Sequence, residues 1–355
     1  MNVRDVFTPA AIAAYWTESG SNKQKFLGKS LFTPFKKAGL DLKFFKGSSG
    51  LPVSLMPSAF DAKATFRDRP GFKVLETEMP FFREGFSLKE RDRQELLRVQ
   101  DSKDPYAIEI LNRLFDDANQ LILGADVVAE RMIMQLLFCA NGAPAISFAA
   151  NGVTYSYDYD PNDVWVSNNY FALPDPNKWS SPMTSDPFND IKTAQNAIYD
   201  ATGTKPTVAM MNSTTYGYLI QSDAVRERFL AVNGRAVGYI SDKDVARLFK
   251  DDLDVTLVVY NKKYKNESGT AAKFVPDGYV SLVPEGALGK LCYGTTPEEA
   301  DLLGKQNAAK VAIVNTGVAV TQIFETNPVN TFTIASEIVL PSWERMDECA
   351  LIKVA

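Results

Sequence analysis

The sequence predicts an α+β protein with compact units and long extensions, and three observations carry that prediction. Apolar residues at Ile108, Leu111, Phe115, Ala118, Ile122, Ala125, Ala129, Met132 and Leu136 step by threes and fours, one stripe along a helix over residues 104–138. From residue 186 helical and β-prone runs alternate, which marks a smaller α/β unit. Elsewhere glycine and proline cut the chain into short β-prone pieces. At 355 residues the chain exceeds the roughly 250–300 that one hydrophobic core serves, so two or more subdomains are expected.

Taken in order, Thr8 and Pro9 cap a short helix with Ala11, Ile12 and Tyr15 on one side. The stretch "ESGSNKQKFLGKSLFTPFKKAG" then reads as an extended arm. Its Phe26, Leu27, Leu31, Phe32 and Phe35 are costly to leave in water, so they are expected to dock on another surface. Residues 41–86 read as a long two-stranded excursion with "FRDRPG" (Phe66–Gly71) at its turn. Asp104 and Pro105 supply an N-cap and first-turn proline for the long helix, which at 1.5 Å per residue runs about 50 Å. "GAPAISFAANGVTYSYDYD" is a hairpin turning at Asn151-Gly152.

In the α/β unit, Asp186 and Pro187 start a helix with Ile191, Ala194 and Ile198 that Gly203 stops. "TVAMM" is a buried strand, Ser213 caps the next helix, and Ser241 starts another that leads into the strand "VTLVVYN". "YKNESGTAAKF" reads as a polar loop and "VPDGYVSLV" as a turn and a strand. The final "NTFTIASEIVLPSWERMDECALIKVA" holds two β-prone runs around Pro341, expected to return to the long-helix unit and complete a sheet there.

Residues 1–50 hold eight Lys or Arg against three acids, a net +5 that leaves −10 on the rest of a chain whose total is −5. A basic arm of this kind meets something acidic, with subunit contact favoured over DNA because most charge runs are simply solvated. Three cysteines without C-x-x-C spacing fit buried small hydrophobes in a reducing compartment. No apolar run is long enough to span a membrane, and the N-terminal apolar stretch is too short for a signal peptide.

The chain has no histidine, which removes Ser-His-Asp and Cys-His triads and His-containing zinc sites. G-x-S-x-G, S-x-x-K and G-x-G-x-x-G are absent as well. "DYDPND" places Asp158, Asp160 and Asn162 like the first ligands of a calcium loop, but Asp163 replaces the glycine and Asn169 the terminal glutamate. A solvated turn with Asx hydrogen bonds is the better expectation. "EGALGKLCYG" follows a strand, yet only two residues separate Gly286 from Gly289 and Leu291 follows Lys290, so it fails the phosphate-loop pattern. It is expected to be a connection inside the α/β unit. No catalytic residue, cofactor or metal is assigned.

Three stretches carry a family resemblance. "FLGKSLFTPFKKAGLDLKFFKG", "DDLDVTLVVYNKKYKNESGTAAKFVPDGYVSLVP" and "NPVNTFTIASEIVLPSWERMDECALIKVA" are similar, in this order, to segments of the lambda-like major capsid protein E family of tailed bacteriophages. The resemblance is diffuse but covers nearly the whole chain, and it implies a Hong Kong 97-type capsid fold. It further implies an N-terminal arm over 1–40, an E-loop over 41–86 and a P domain over 87–186 with the spine helix 104–138. An A domain over 187–325 and a return to the P domain over 326–355 complete that expectation.

The implied function is a major capsid protein that assembles into hexamers and pentamers of an icosahedral head around double-stranded DNA. It would be located in the virion and assembled in the host bacterial cytoplasm. Implied partners are other copies, a scaffolding protein and a portal, with a decoration protein as an optional addition, DNA met non-specifically at most and no membrane. Phe26, Phe32 and Phe35 in the arm and Arg67, Asp68, Arg69 and Arg83 in the excursion are the candidate intersubunit contacts, each of which ordinary surface or intrachain packing explains equally well. The alternatives are a same-fold nanocompartment shell and, from another class, a nucleotide-using enzyme on the α/β unit.

Overall fold

The computed structural model describes residues 7–19, 25–46, 73–88, 90, 94, 105–139, 142–150, 152–233, 240–303, 310–326 and 329–355. Helix α1 (Pro9–Glu18), the single turn α2 (Gly28–Leu31) and strand β1 (Phe32–Lys36) come first. Strands β2 (Asp41–Lys46), β3 (Lys73–Glu78) and β4 (Phe81–Leu88) precede the long helix α3 (Pro105–Leu137). The hairpin β5 (Ala145–Ala150) and β6 (Val153–Asp158) leads to α4 (Val164–Asn169) and β7 (Tyr170–Ala172). Next come α5 (Pro187–Thr202), β8 (Val208–Met211), α6 (Ser213–Gln221), α7 (Asp223–Asn233), α8 (Asp242–Leu253) and β9 (Thr256–Val259). After β10 (Lys263–Lys265), β11 (Ala271–Lys273), β12 (Tyr279–Val283) and β13 (Gly289–Tyr293) comes α9 (Pro297–Leu303). Strands β14 (Lys310–Val314), β15 (Val318–Thr326), β16 (Val329–Ser342) and β17 (Ala350–Lys353) complete the order.

These elements form two compact units. The first comprises Met1–Lys43, Glu76–Met132 and Lys290–Ser342. Its sheet runs β1-β13-β16-β15-β14, with β4 also paired to β16. At 14 residues β16 is long enough to pair β4 along Thr331–Ile338 and β13 along Val339–Ser342. Leu88, Val314 and Val320 from the sheet, Leu114, Ala118 and Ile122 from α3, and Phe7, Ile12 and Trp16 around α1 form one apolar cluster. Helix α1 starts where expected, because the Thr8 hydroxyl accepts from the Ala11 N–H at 3.2 Å and Pro9 occupies the first turn. Its inward face is Ile12 and Trp16, while Ala11 and Tyr15 are only half-buried.

Of the arm aromatics expected to dock on another surface, Phe26 and Phe32 are 8% and 0% exposed and pack within their own chain. Phe35 is 47% exposed and is the arm aromatic that remains outside. The strands β2 and β3 pair with each other as the two-stranded excursion requires. Arg67, Asp68 and Arg69 at its expected turn lie outside the described residues, as does the expected N-cap Asp104 of α3.

The second unit comprises Phe44–Leu75, Ile133–Gly289 and Trp343–Ala355. Its mixed sheet runs β7-β17-β12-β8-β9, with β17 parallel to β7 and β8 parallel to β9. Ile191, Ala194 and Ile198 of α5 and Val245, Leu248 and Phe249 of α8 pack against Ala209, Met211, Val280, Leu282 and Ile352. The Asp186 cap and the left-handed Gly203 stop fall where the sequence places them, and Ser241 caps α8. Asn212, not Ser213, caps α6: its Oδ1 accepts from the Thr215 N–H at 2.9 Å. Its Nδ2 meanwhile donates to the Val275 carbonyl and to Asp277, a reach that serine lacks.

Three further expectations change. The C-terminal run beyond Trp343 does not return to the sheet of the long-helix unit; β17 sits between β7 and β12 in the other sheet. The segment expected as a polar loop contains the hairpin β10–β11. The acidic turn is not solvated throughout. Asp160 is 2% exposed and accepts from the Val164, Trp165 and Val166 N–H groups, so it serves as the anchor that starts α4.

Candidate functional site

The basic N-terminal segment does meet acids, and among the described residues they belong to its own chain. The single turn α2 brings the Gly28 N–H to 2.8 Å from the Glu130 carboxylate and the Lys29 ammonium to 2.6 Å from Asp126. Both acids lie on α3 four residues apart, so they share one helix face. Asn315 adds a third link. It adopts a left-handed conformation in the turn between β14 and β15, donates to Asp126 at 3.4 Å and accepts from the Trp16 indole at 3.2 Å. Four segments distant in sequence are thereby tied through one carboxylate.

A second tie lies farther along the arm. Lys36 donates to the Gly294 carbonyl at 2.9 Å and pairs with Glu299 at 2.5 Å. Arg83, one of the candidate contacts, pairs with Glu298 at 3.2 Å, and the Ser336 hydroxyl donates to the other oxygen of that carboxylate. Arg83 keeps 44% of its side-chain surface exposed, so this ion pair leaves it partly open to other contacts.

Electrostatically the region is over-supplied with buried acid. Burial raises the Asp126 pKa, and the opposing pull of Lys29 does not cancel it. Glu337 on β16 is 2% exposed, with Oε1 unpaired among the described residues. Burial, reinforced by the charge of Asp126, holds its carboxyl well above the ordinary range. Burial, with Glu337 and Asp126 adding to it, also pushes up the Tyr293 phenol. Among the described residues no group of three or more acids or cysteines is placed to hold a metal ion. All three cysteines are buried and free.

The glycine-rich stretch is a strand rather than a connection inside the α/β unit. Gly289–Tyr293 is β13, paired with β1 and β16 in the first unit's sheet. A strand paired on both sides commits its N–H groups to ladders, so none converge on a phosphate. Gly286, at φ 94°, makes the preceding turn, where Arg345 donates to the Glu285 and Ala287 carbonyls. Gly294 is fixed by close approach, since a Cβ there would lie 2.6 Å from Ile338 and 2.9 Å from Met79. The Lys290 ammonium lies 5.7 Å from the Phe35 ring centroid, a cation–π contact rather than a phosphate ligand.

The family model for phage major capsid protein E matches residues 8–354. The chain belongs to that family. This capsid protein is therefore a structural component of a phage or prophage head and not an enzyme. Two solved structures share its fold. A phage-related protein from Bordetella bronchiseptica is 16% identical, with a TM-score of 0.56 over 98% of this chain and 97% of that one. A protein described as the capsid protein of an Escherichia coli prophage is 15% identical, with a TM-score of 0.58 over 98% and 99%. No curated protein sequence matches the chain. The α+β architecture is the Hong Kong 97-like capsid fold.

Proposed function

We propose that this capsid protein builds the hexamers and pentamers of an icosahedral head that encloses double-stranded DNA. The observation that carries the reading is the family match over residues 8–354. In this reading α3 is the spine helix, the β2–β3 excursion is the E-loop, and the α/β sheet around β8 and β12 is the core of the A domain. The first unit, with its tied arm, serves as the P domain, and β13 in its sheet supports counting that strand with it. Scaffolding, portal and decoration proteins are the other partners of the reading, with DNA touched non-specifically.

Phe35 and Arg83 are the candidate contact residues that the described structure leaves accessible. The positions Arg67, Asp68 and Arg69 belong to the same proposal. A shell needs contacts that use different patches on the two partners and a rotation that closes. Expression of the chain, alone and with the neighbouring head genes, followed by negative-stain microscopy, tests the reading. Shells, capsomers or tubes are expected. A chain that stays monomeric at high concentration under both conditions overturns it.

A further inference from the structure

Two features of the second unit each break a local rule, and each supplies what the other lacks. The first is the hairpin β10–β11. Residues 262–273 carry four lysines against one glutamate. Lys263 stands directly opposite Lys273 across the ribbon, a like-charge pair that weakens a two-stranded element already marginal in length. Lys273 is neutralised by Asp277 at 2.7 Å, but Lys263 and Lys265 are exposed and have no ion-pair partner among the described residues.

The hairpin is nonetheless held in a defined position. Phe274 packs against Tyr264 at 4.8 Å and Tyr260 at 6.2 Å between ring centroids. At the tip the Asn266 carboxamide accepts from the Thr270 N–H, and Gly269 takes the left-handed conformation that the turn requires. The lysines are thus presented on a rigid support.

The second feature is the end of α8. Asp251 and Asp252 occupy its last turn and Asp254 its C-cap, where the helix dipole is negative and acids are unfavourable. Lys250 is committed to Asp254 at 2.6 Å and Lys205 donates to the Leu253 carbonyl at 3.0 Å. Asp251 and Asp252 remain exposed, without partners among the described residues. The two features flank β9, an edge strand of the sheet whose Val259 is 41% exposed. The four-residue strand alone spans about 13 Å, which places the two charge groups at its opposite ends.

Resting on the capsid reading, we propose that the basic hairpin of one copy docks on the acidic turn Asp251–Asp254 of a neighbouring copy. The contact joins two different patches, so it is heterologous and can continue from copy to copy around a ring. Charge complementarity of this kind sets the register of encounter and disfavours wrong partners. Violations of local rules concentrate where a partner supplies the compensation.

The test uses the full chain. Lys263→Glu with Lys265→Glu, and separately Asp251→Lys with Asp252→Lys, should each raise the concentration needed for assembly about tenfold or more. All four changes in one chain should bring it back close to wild type, read by sedimentation and negative-stain microscopy. All four side chains are exposed and each reversal relieves a local charge clash, so circular dichroism should stay unchanged and thermal midpoints should hold level or rise. Either pair assembling at the wild-type concentration overturns the proposal while leaving the capsid reading in place. Failure of the fourfold variant to recover overturns it too. Normal assembly with loss of nuclease-protected DNA in the lysine pair assigns the hairpin to DNA instead. Mixed Lys265→Cys and Asp252→Cys chains should form a disulfide-linked heterodimer even where wild-type chains build no shell. Its absence overturns the contact, whereas absence of wild-type particles alone overturns the capsid reading.

Discussion

The interiors of the two units differ in kind. The second holds nineteen buried hydrophobic residues in one cluster of the described residues, mainly from α5–α8 and strands β8, β12 and β17. One cluster of the first around α1, α3 and its sheet has nine among the described residues, with Phe32, Met132, Leu291 and Ile338 buried besides, and buried Asp126, Glu130, Glu298, Glu337 and Gln322 share that unit. Both oxygen and nitrogen of the Gln322 amide and the Thr333 hydroxyl are unpaired among the described residues, in addition to Glu337 Oε1. Apolar packing is non-directional and tolerates small shifts, whereas a buried carboxylate depends on one or two partners at fixed distance. Both units thus have apolar cores, and what sets the first apart among the described residues is the buried carboxylates that its polar ties must satisfy.

The largest blow to that contrast comes from the apolar side. Phe249→Ala should cost about 3–5 kcal/mol, seen as a lower denaturation midpoint. Hydrogen exchange should place the loss first in peptides of the second unit; a loss spread equally over both would erase the distinction. Lys29→Met removes the cation from Asp126 and should cost about 1–3 kcal/mol, with protection lost around α1, α2 and the middle of α3. A smaller effect of opposite sign is expected for Glu337→Gln. Removing a buried carboxylate without a full set of partners should stabilise the chain by about 1 kcal/mol in neutral buffer.

The pH dependence sharpens the same contrast. Asp126 and Glu337 have folded pKa values above the ordinary carboxylate range, so the folded state keeps protons that the unfolded chain has released. Stability should fall as pH rises out of that range and return on acidification, and Glu337→Gln should flatten the slope. In the second unit burial raises Asp190 to about 6 despite the Trp179 indole bond. Asp190→Asn should remove the decline between the ordinary value of 3.8 and about 6, the mildest of these effects. Titrating unfolding midpoints of the three proteins checks both.

Periodicity and capping made much of the fold readable. The stripe from Ala118 to Leu136, the Thr8, Asp186 and Ser241 caps and the Gly203 stop each act over one or two helical turns, the range a sequence pattern can express. Non-local pairings were less accessible. Nothing local in "ALIKVA" says which sheet it enters, because an apolar run suits either core. The β13 strand hid behind its glycines, which look like a loop until Gly294 is seen pressed against Ile338. The arm's charge asymmetry pointed to an acidic contact, yet charge carries no address. Only the fold shows that Lys29 and Lys36 meet acids of their own chain. The Glu337 carboxylate gave no signal at all, since in "IASEIVLP" it follows Ser336 between apolar residues without strict alternation, and nothing local says which face it takes.

The placement of β17 has a consequence for how the chain acquires its structure during synthesis. It lies in the interior of the five-stranded sheet, between β7 and β12, yet the chain reaches it only after making β13, α9 and β14–β16 for the other unit. The ribosome thus delivers parts of both units alternately, and neither can close when its first strands emerge. Pairings this distant in sequence are slow to form. Until they do, the apolar faces of β8 and β12 stand uncovered, a stage at which chaperones have a target and premature assembly has no finished surface to use.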